Sequence, residues 1–209
     1  MAQKIVELKV SADPEDITHD QRKRNVKKLA GAISHSLRQN GEVNIRCFGN
    51  SSIGKASKAI AISQGYIKEN DLQLSFSPAF INADIGGKTR TGISFCTFAS
   101  QGEDEFGEFD KVNQVMLVKA DEEGLDVNER NENVKRLAGA IAHALAEDGE
   151  CFIRCFGNGT IGKACRALAM ARGFVAQTGS DMYCANAFIE AEIGGINRTG
   201  IGFYAYSNS

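Results

Sequence analysis

Apolar positions alternate with polar ones in some segments of this chain and recur every three or four residues in others, and the same succession of segments occurs twice. In the first half, Val6–Val10 has the pattern of a strand and residues 11–24 that of a polar loop. Apolar residues then recur every three or four positions, which predicts a helix over residues 25–39. Asn25 is its expected N-cap and Gly41 its expected C-terminal stop. The predicted packing face consists of Val26, Leu29, Ala30, Ile33 and Leu37.

The rest of this half predicts three strands and one helix. Residues 42–48 alternate, with Val43, Ile45 and Cys47 on one side and Asn44, Arg46 and Phe48 on the other. A helix follows to about Ile67, and its predicted packing face is Ala56, Ala59, Ile60, Ser63 and Ile67. Two strands, about residues 72–85 and 89–98, are joined by a tight turn at Gly86-Gly87. The order β-α-β-α-β-β predicts an α+β fold of two layers, with two helices on one face of a four-stranded sheet.

The chain is a tandem duplication with a constant offset of 108 residues, and roughly four in ten aligned positions are identical. The same elements are therefore predicted in the second half, with a helix over residues 133–147 that Asn133 caps and Gly149 ends, and a hairpin turn at Gly194-Gly195. We expect two domains, residues 1–100 and 112–209, related by a pseudo-twofold axis. Residues 101–111 are acidic and contain glycine, which is typical of a short solvated linker.

A strand-turn-helix motif appears in both halves, at residues 45–56 and 153–164. Its turn matches G-x-x-x-x-G-K at Gly49–Lys55 and Gly157–Lys163, most of a nucleotide-binding signature. Alanine, however, occupies the position that needs Ser or Thr to hold magnesium, so nucleoside-triphosphate hydrolysis is disfavoured. A helix N-terminus with a nearby lysine can also contact a phosphate, a nucleic-acid backbone or a small phosphorylated ligand. An ordinary helix start with an exposed lysine is the remaining interpretation. Candidate contact residues are Asn50, Lys55 and Lys163.

Composition is that of an ordinary globular protein, but charge is distributed unevenly. The 209 residues are 43% hydrophobic and 24% charged, with a net charge of −2. Residues 1–100 carry a balance of +5 and residues 101–209 a balance of −7, so the first half can present a basic face. No apolar run reaches transmembrane length and no signal peptide is evident, so we expect a cytoplasmic protein without membrane contact.

Neither a metal site nor an active site is predicted. Six cysteines are present without a C-x-x-C pair, and buried reduced thiols are the expected state. No nucleophile-base or paired-carboxylate arrangement occurs in both halves. We therefore expect a protein that is not an enzyme and that has neither cofactor nor metal.

Two further groups of basic residues are candidates for binding nucleic acid. Five basic residues fall within seven positions of the stretch 21–28, at the end of the predicted loop and the start of the first predicted helix, whereas the matching stretch of the second half contains acids. The hairpin tips add three more basic residues. A solvated surface is the alternative for both groups. The candidates are Arg22, Lys23, Arg24, Lys27 and Lys28 in the basic run, and Lys88, Arg90 and Arg198 at the hairpins.

The predicted outer face of the sheet is less polar than a monomer needs. Aromatic residues lie on that face in both halves: Phe48, Phe98, Phe156, Tyr204 and Tyr206. Exposed apolar patches mark interfaces. We expect either an intramolecular pseudo-dimer or self-association of chains through the sheet faces, and a contact that does not close would produce a filament.

Several segments of the second half resemble the stage V sporulation protein S (SpoVS) family, which is grouped with the Alba-like small nucleic-acid-binding proteins. They are Leu137-Ala-Gly-Ala-Ile141, Ala171-Arg-Gly-Phe-Val-Ala176, Ala187-Phe-Ile-Glu-Ala-Glu-Ile193 and Arg198-Thr-Gly-Ile201. The resemblance implies the β-α-β-α-β-β fold, dimer formation and sequence-tolerant binding of DNA or RNA, with basic loops and the hairpin in contact. It also implies a sporulation-related role. Members are usually single short domains, so the tandem arrangement departs from the pattern.

The leading hypothesis is a non-enzymatic Alba-like protein that binds DNA or RNA, mainly through its basic first half. The alternative is a self-assembling structural or regulatory protein without a nucleic-acid role, which the acidic isoelectric point near 6.0 favours.

Overall fold

Alternation of apolar residues along eight strands produces a sheet with one face covered by four helices. The computed structural model describes residues 5–101 and 112–208. The first half contains β1 (Val6–Val10), α1 (His19–Asn40), β2 (Glu42–Cys47), α2 (Asn50–Lys68), β3 (Leu72–Asp84) and β4 (Thr89–Gln101). The second half contains β5 (Val115–Val118), α3 (Val127–Asp148), β6 (Glu150–Cys155), α4 (Asn158–Ala176), β7 (Asp181–Ile193) and β8 (Ile196–Asn208). The predicted β-α-β-α-β-β order is confirmed in both halves.

The two halves share one continuous sheet with strand order β1-β2-β4-β3-β7-β8-β6-β5. Within each half the first strand pairs with the second in parallel, and the remaining pairings are antiparallel. The halves join where β3 meets β7, with Phe76 opposite Cys184. Those two residues occupy equivalent positions of the duplication, so the pseudo-twofold axis passes between them.

The predicted packing faces are confirmed. On β2, Val43, Ile45 and Cys47 are completely buried, while Asn44 and Arg46 on the other side are partly exposed. On α2, all five residues of the expected face have no exposed surface.

The sequence prediction places the start of the first helix of each half six residues too late. Helix α1 begins at His19, six residues early, because Thr18 forms a capping box with Gln21: the Gln21 backbone N–H donates to Thr18 Oγ1 at 3.2 Å, and the Thr18 N–H donates to Gln21 Oε1 at 2.7 Å. Asp126 and Glu129 cap α3 in the same way. Asn25 and Asn133 are therefore not N-caps, and the basic run lies in a helix and not in a loop.

The predicted turns have the expected backbone conformations. Gly41 and Gly149 end α1 and α3 with φ of 75°. Gly86 and Gly87 have φ of 63° and 74°, and the Ile85 N–H donates to the Lys88 carbonyl at 3.0 Å. Positive φ at both central residues is the mark of a type I′ hairpin turn, which favours glycine.

Three other expectations concern the linker, the cysteines and the membrane. Of the predicted linker, Gln101 ends β4 and residues 102–111 lie outside the described residues. All six cysteines are free thiols and five are buried; burial raises the pKa of the Cys165 thiol to about 12. No helix within residues 5–101 and 112–208 is both long and apolar enough to cross a membrane.

Candidate nucleic-acid interface

The repeated motif lies at the seam between the two halves, where α2 packs against α4. The side chain of Asn158 lies against Gly54, where an added Cβ would come within 2.4 Å of Asn158 Oδ1. The reciprocal contact places Asn50 Oδ1 2.2 Å from a Cβ at Gly162. The second glycine of each G-x-x-x-x-G-K sequence is thus needed for close approach of the halves. Asn50 therefore contacts the other half at this seam, and it also lines a cleft beside α3.

Lys55 and Lys163 are held by carboxylates in both halves. Lys55 Nζ lies 2.5 Å from Asp13 Oδ1, and Lys163 Nζ lies 2.5 Å from Asp121 Oδ1. The four side chains are only 12–18% exposed. The expectation of an exposed lysine at the turn is therefore wrong. The pairs fasten the loop after β1 or β5 to the helix that follows the turn.

The local environment explains the ionisation of Asp13. Burial raises its pKa, but hydrogen bonds from Lys55 and Asn25 and the positive charge of Lys55 outweigh this, so the net pKa lies below the ordinary 3.8. Asp121 has the same balance, with hydrogen bonds from Lys163 and Asn133. Both lysines consequently face a carboxylate that stays ionised at neutral pH.

The five residues of the basic run divide between two stripes of α1. His19, Lys23 and Lys27 follow a spacing of four residues and line a cleft, together with Arg22. Arg24 and Lys28 are exposed on a different stripe, outside the cleft. Arg22 also donates to the Glu15 carbonyl at 2.9 Å and so holds the preceding loop.

We call this cleft the basic cleft; it has a volume of about 550 Å³ and is formed by both halves. One wall comes from α1 and from Lys58 of α2. The other wall comes from the second half, at the turn before α4 and on β7 and β8. Its polar and aromatic lining is His19, Arg22, Lys23, Lys27, Lys58, Phe188 and Thr199. Among the described residues that line it, none carries a carboxylate.

A second cleft of about 610 Å³, which we call the mixed-charge cleft, lies beside α3 and overlaps the pseudo-equivalent place only in part, along α3 and at Arg166. Arg130 and Arg166 line it where the basic cleft has Arg22 and Lys58. Asn131 stands at the position of Lys23, and three acids contribute to the lining: Asp121, Glu122 and Glu123. The two clefts are not matched throughout, because the loop before α3 lines the mixed-charge cleft while its counterpart in the first half, which carries Asp13 and Glu15, does not line the basic cleft.

The sequence profile described as Stage V sporulation protein S (SpoVS) matches residues 21–100 and again residues 124–208. This chain belongs to the stage V sporulation protein S family. The two matched segments confirm the tandem duplication of a SpoVS-like domain. SpoVS is not a known enzyme family.

The hairpin arginines of the two SpoVS-like domains project away from the helices. Arg90 on β4 and Arg198 on β8 are exposed and lie on the face of the sheet that the helices do not cover, because side chains alternate between the two faces along a strand. Arg198 directly precedes Thr199 of the basic cleft, whereas Lys88 and Arg90 of the first domain do not line it. The basic cleft thus lies between α1 of one SpoVS-like domain and strands β7 and β8 of the other, and neither Arg90 nor Arg198 lines it.

Sequence reasoning missed Lys58 and Phe188. Lys58 lies off the packing face of α2, and its Nζ donates to Asn158 Oδ1 at 3.1 Å across the seam. Burial lowers its pKa. A usable signal was present, because position 166, the equivalent of 58, is also cationic. Phe188 gave no such signal, since an exposed aromatic residue on a strand has the same pattern as a core residue.

No potential metal centre is present in the part of the chain that the structure describes, where no three His, Cys, Asp or Glu side chains come together suitably.

Proposed function

We propose that this tandem SpoVS protein binds nucleic acid with little sequence preference, through phosphate contacts from its first half. The observation that carries the proposal is the basic surface of α1. Lys23, Arg24, Lys27 and Lys28 are all exposed there, and none has an ion-pair partner within residues 5–101 and 112–208. The resemblance of the family to Alba-like proteins supports the same function by analogy.

Charge neutralisation would supply most of the affinity. Each lysine or arginine that meets a phosphate releases condensed counterions, so binding weakens as salt concentration rises. Non-specific dissociation constants of about 10⁻⁴ to 10⁻⁶ M are expected at physiological salt. The net charge of −2 does not oppose this, because the negative excess lies in the second half.

The proposed role is binding and not catalysis. The residues that resembled a nucleotide-hydrolysis motif instead make the seam contacts between α2 and α4 and the ion pairs of Lys55 and Lys163. A small phosphorylated ligand at those turns would have to displace the carboxylates of Asp13 and Asp121 from the lysines.

The test compares equivalent charges of the two halves. Lys27→Gln with Lys28→Gln removes two charges from α1, and Lys135→Gln with Arg136→Gln removes their counterparts from α3. Lys135 is paired with Glu132 at 2.6 Å, and α3 carries acids nearby. We expect the first variant to reduce the slope of log K against log salt by about 2, and the second to leave it nearly unchanged. Absence of salt-dependent binding of either DNA or RNA at low salt would reject the proposed function.

Self-assembly is a second candidate function, which the outer face of the second half favours. Val115 and Leu117 on edge strand β5 are 51% and 58% exposed. They adjoin a row of rings across the sheet, in which Tyr204 stacks on Tyr206 at 5.5 Å and Tyr183 contacts Phe98 at 5.6 Å. The equivalent positions of β1 are Glu7 and Lys9, so the apolar edge strand belongs to the second half alone.

Transplanting the polar residues of β1 tests this candidate. Val115→Glu with Leu117→Lys reproduces the first half on β5, and Arg154 then gains an acidic neighbour like the Glu7 that pairs with Arg46 at 3.0 Å. If the patch drives assembly, sedimentation velocity will show large particles for the natural chain and a small uniform particle for the variant. A small uniform particle for the natural chain at every concentration would reject self-assembly.

A further inference from the structure

We propose that the basic cleft is a composite site for a single-stranded segment of nucleic acid. In this arrangement phosphates contact Lys23, Lys27 and Lys58, and an unpaired base stacks on Phe188. The inference rests on the proposed nucleic-acid binding and specifies the form of the ligand, its place and its number per chain.

The cleft presents its cations along one path. Lys23 and Lys27 lie one helical turn apart on α1, so they can meet successive groups of an extended backbone. Lys58 extends the path to the seam, where its ammonium group touches Asn158. Its partial burial, which lowers its pKa, also means that an incoming phosphate meets a poorly hydrated cation.

Phe188 gives the cleft a preference for single strands. Its side chain is 45% exposed and faces the cleft from β7, across from the lysines of α1. A base offers its face to an aromatic ring only when it is unpaired and unstacked, since neighbouring bases cover both faces in a duplex. A basic groove with an exposed aromatic ring is the arrangement that single-strand-binding proteins use.

The surrounding charges limit the site to one per chain and indicate the path of the strand. The mixed-charge cleft has Val127 and Asn131 where the basic cleft has His19 and Lys23, so it offers a phosphate fewer cations. Beyond Phe188, the next residue on the same face of β7 is the exposed Glu190. The strand is therefore expected to leave the cleft along α1 and not along the hairpin of the second half.

The first experiment measures the affinity of the full chain for a labelled 20-nucleotide strand and for the duplex of the same sequence. The strand is expected to bind at least about tenfold more tightly than the duplex. Phe188→Ala should weaken strand binding roughly 5- to 100-fold and change duplex binding little. Phe80→Ala is the matched control, because Phe80 is the pseudo-equivalent residue, is 44% exposed and lies outside the basic cleft.

The second experiment separates the cleft from the general charge of α1. Lys23→Gln with Lys27→Gln and Arg24→Gln with Lys28→Gln each remove two charges from the same helix, but only the first pair lines the cleft. The first variant should lose at least about tenfold more affinity for the strand than the second. Thermal melting of all variants confirms that each is folded.

The outcomes distinguish the inference from the proposed function. A titration above the dissociation constant should end at one short oligonucleotide per chain. Two per chain, equal effects of the two charge variants, or equal effects of Phe188→Ala and Phe80→Ala would overturn the composite site while salt-dependent binding stands. If neither strand nor duplex binds at low salt, the proposed function fails and the inference fails with it.

Discussion

At the scale of single residues, the second glycine of each repeated motif is determined by packing and not by phosphate. Gly54 faces Asn158 across the seam, and a Cβ would lie 2.4 Å from its side-chain oxygen. Moving Asn158 away would also break its hydrogen bond with Lys58. The same residue types that suggest a nucleotide-binding turn are thus the ones that two closely packed helices require.

Gly54→Ala is therefore expected to destabilise the protein by about 1–3 kcal/mol, the usual cost of overpacking. Gly65→Ala in the same helix is the control. An added Cβ at Gly65 meets no atom within 4 Å, so that variant should gain about 0.5–1 kcal/mol from the helical preference of alanine. Urea unfolding measures both free energies, and equal effects of the two substitutions would contradict the packing role of Gly54.

The ion pair of Asp13 with Lys55 makes the free energy of unfolding depend on pH in the acidic range. The pKa of Asp13 is lower in the folded chain than the ordinary 3.8, so the unfolded chain binds a proton first as pH falls. The stabilisation is complete well above pH 3.8 and is lost as pH falls through the folded-state pKa. Asp13→Asn should lower stability by about 1–3 kcal/mol at pH 7 and flatten its decline in acid.

Unfolding by urea at pH 7, 5, 4 and 3 tests this prediction. Asp121→Asn is expected to behave in the same way, because Lys163 and Asn133 surround Asp121 as Lys55 and Asn25 surround Asp13. An unchanged steepness of the acid decline in both variants would show that other carboxylates dominate it.

At the scale of elements, the order of helices and strands was predictable because apolar residues recur every three or four positions in a helix and every second position in a strand. Buried positions such as Ile45 and Ile60 follow directly from these periods. The start of α1 was misplaced because apolar periodicity begins only at Val26, whereas capping chemistry begins at Thr18. The Thr18–Gln21 and Asp126–Glu129 pairs were the available signals.

The cap of α1 connects local stability to binding, since Lys23 lies only a few residues beyond it. Thr18→Ala is expected to cost about 1 kcal/mol and to weaken nucleic-acid binding as the first turns fray. Asp126→Ala removes the equivalent cap of α3 and should cost similar stability without weakening binding. Unfolding and oligonucleotide titration of both variants provide the check. Equal losses of affinity would show that binding does not depend on the order of α1 in particular.

At the scale of the whole molecule, the pairing of the halves was not predictable in detail. Alternation along β3 shows which side chains point inward, but it does not show which strand lies beside it. The reciprocal Asn50–Gly162 and Asn158–Gly54 contacts join residues about a hundred positions apart and leave no local pattern. The basic cleft was missed for the same reason, because its walls come from different halves.

The two halves share one core where they meet. The residues at the pseudo-twofold axis differ between the halves, and aromatic rings of both halves contact one another there. Phe76 of β3 lies opposite Cys184 of β7, and both side chains are completely buried. The ring of Phe76 meets Phe95 of its own half at 5.4 Å and Phe203 of the other half at 6.4 Å, both edge-on. All three rings are completely buried.

Phe76→Ala is therefore expected to cost about 3–5 kcal/mol and to destabilise both halves together. Three of the four tyrosines lie in the second half, so tyrosine fluorescence reports mainly on that half, while far-ultraviolet circular dichroism reports on the whole chain. The two signals should change at the same urea concentration in the natural chain and in the variant, because one sheet and one helix contact bind the halves into a single cooperative unit. Phe80→Ala, on an exposed site, should shift neither midpoint appreciably. A variant in which the tyrosine signal keeps its original midpoint while circular dichroism shows an earlier transition would mean that the halves unfold independently.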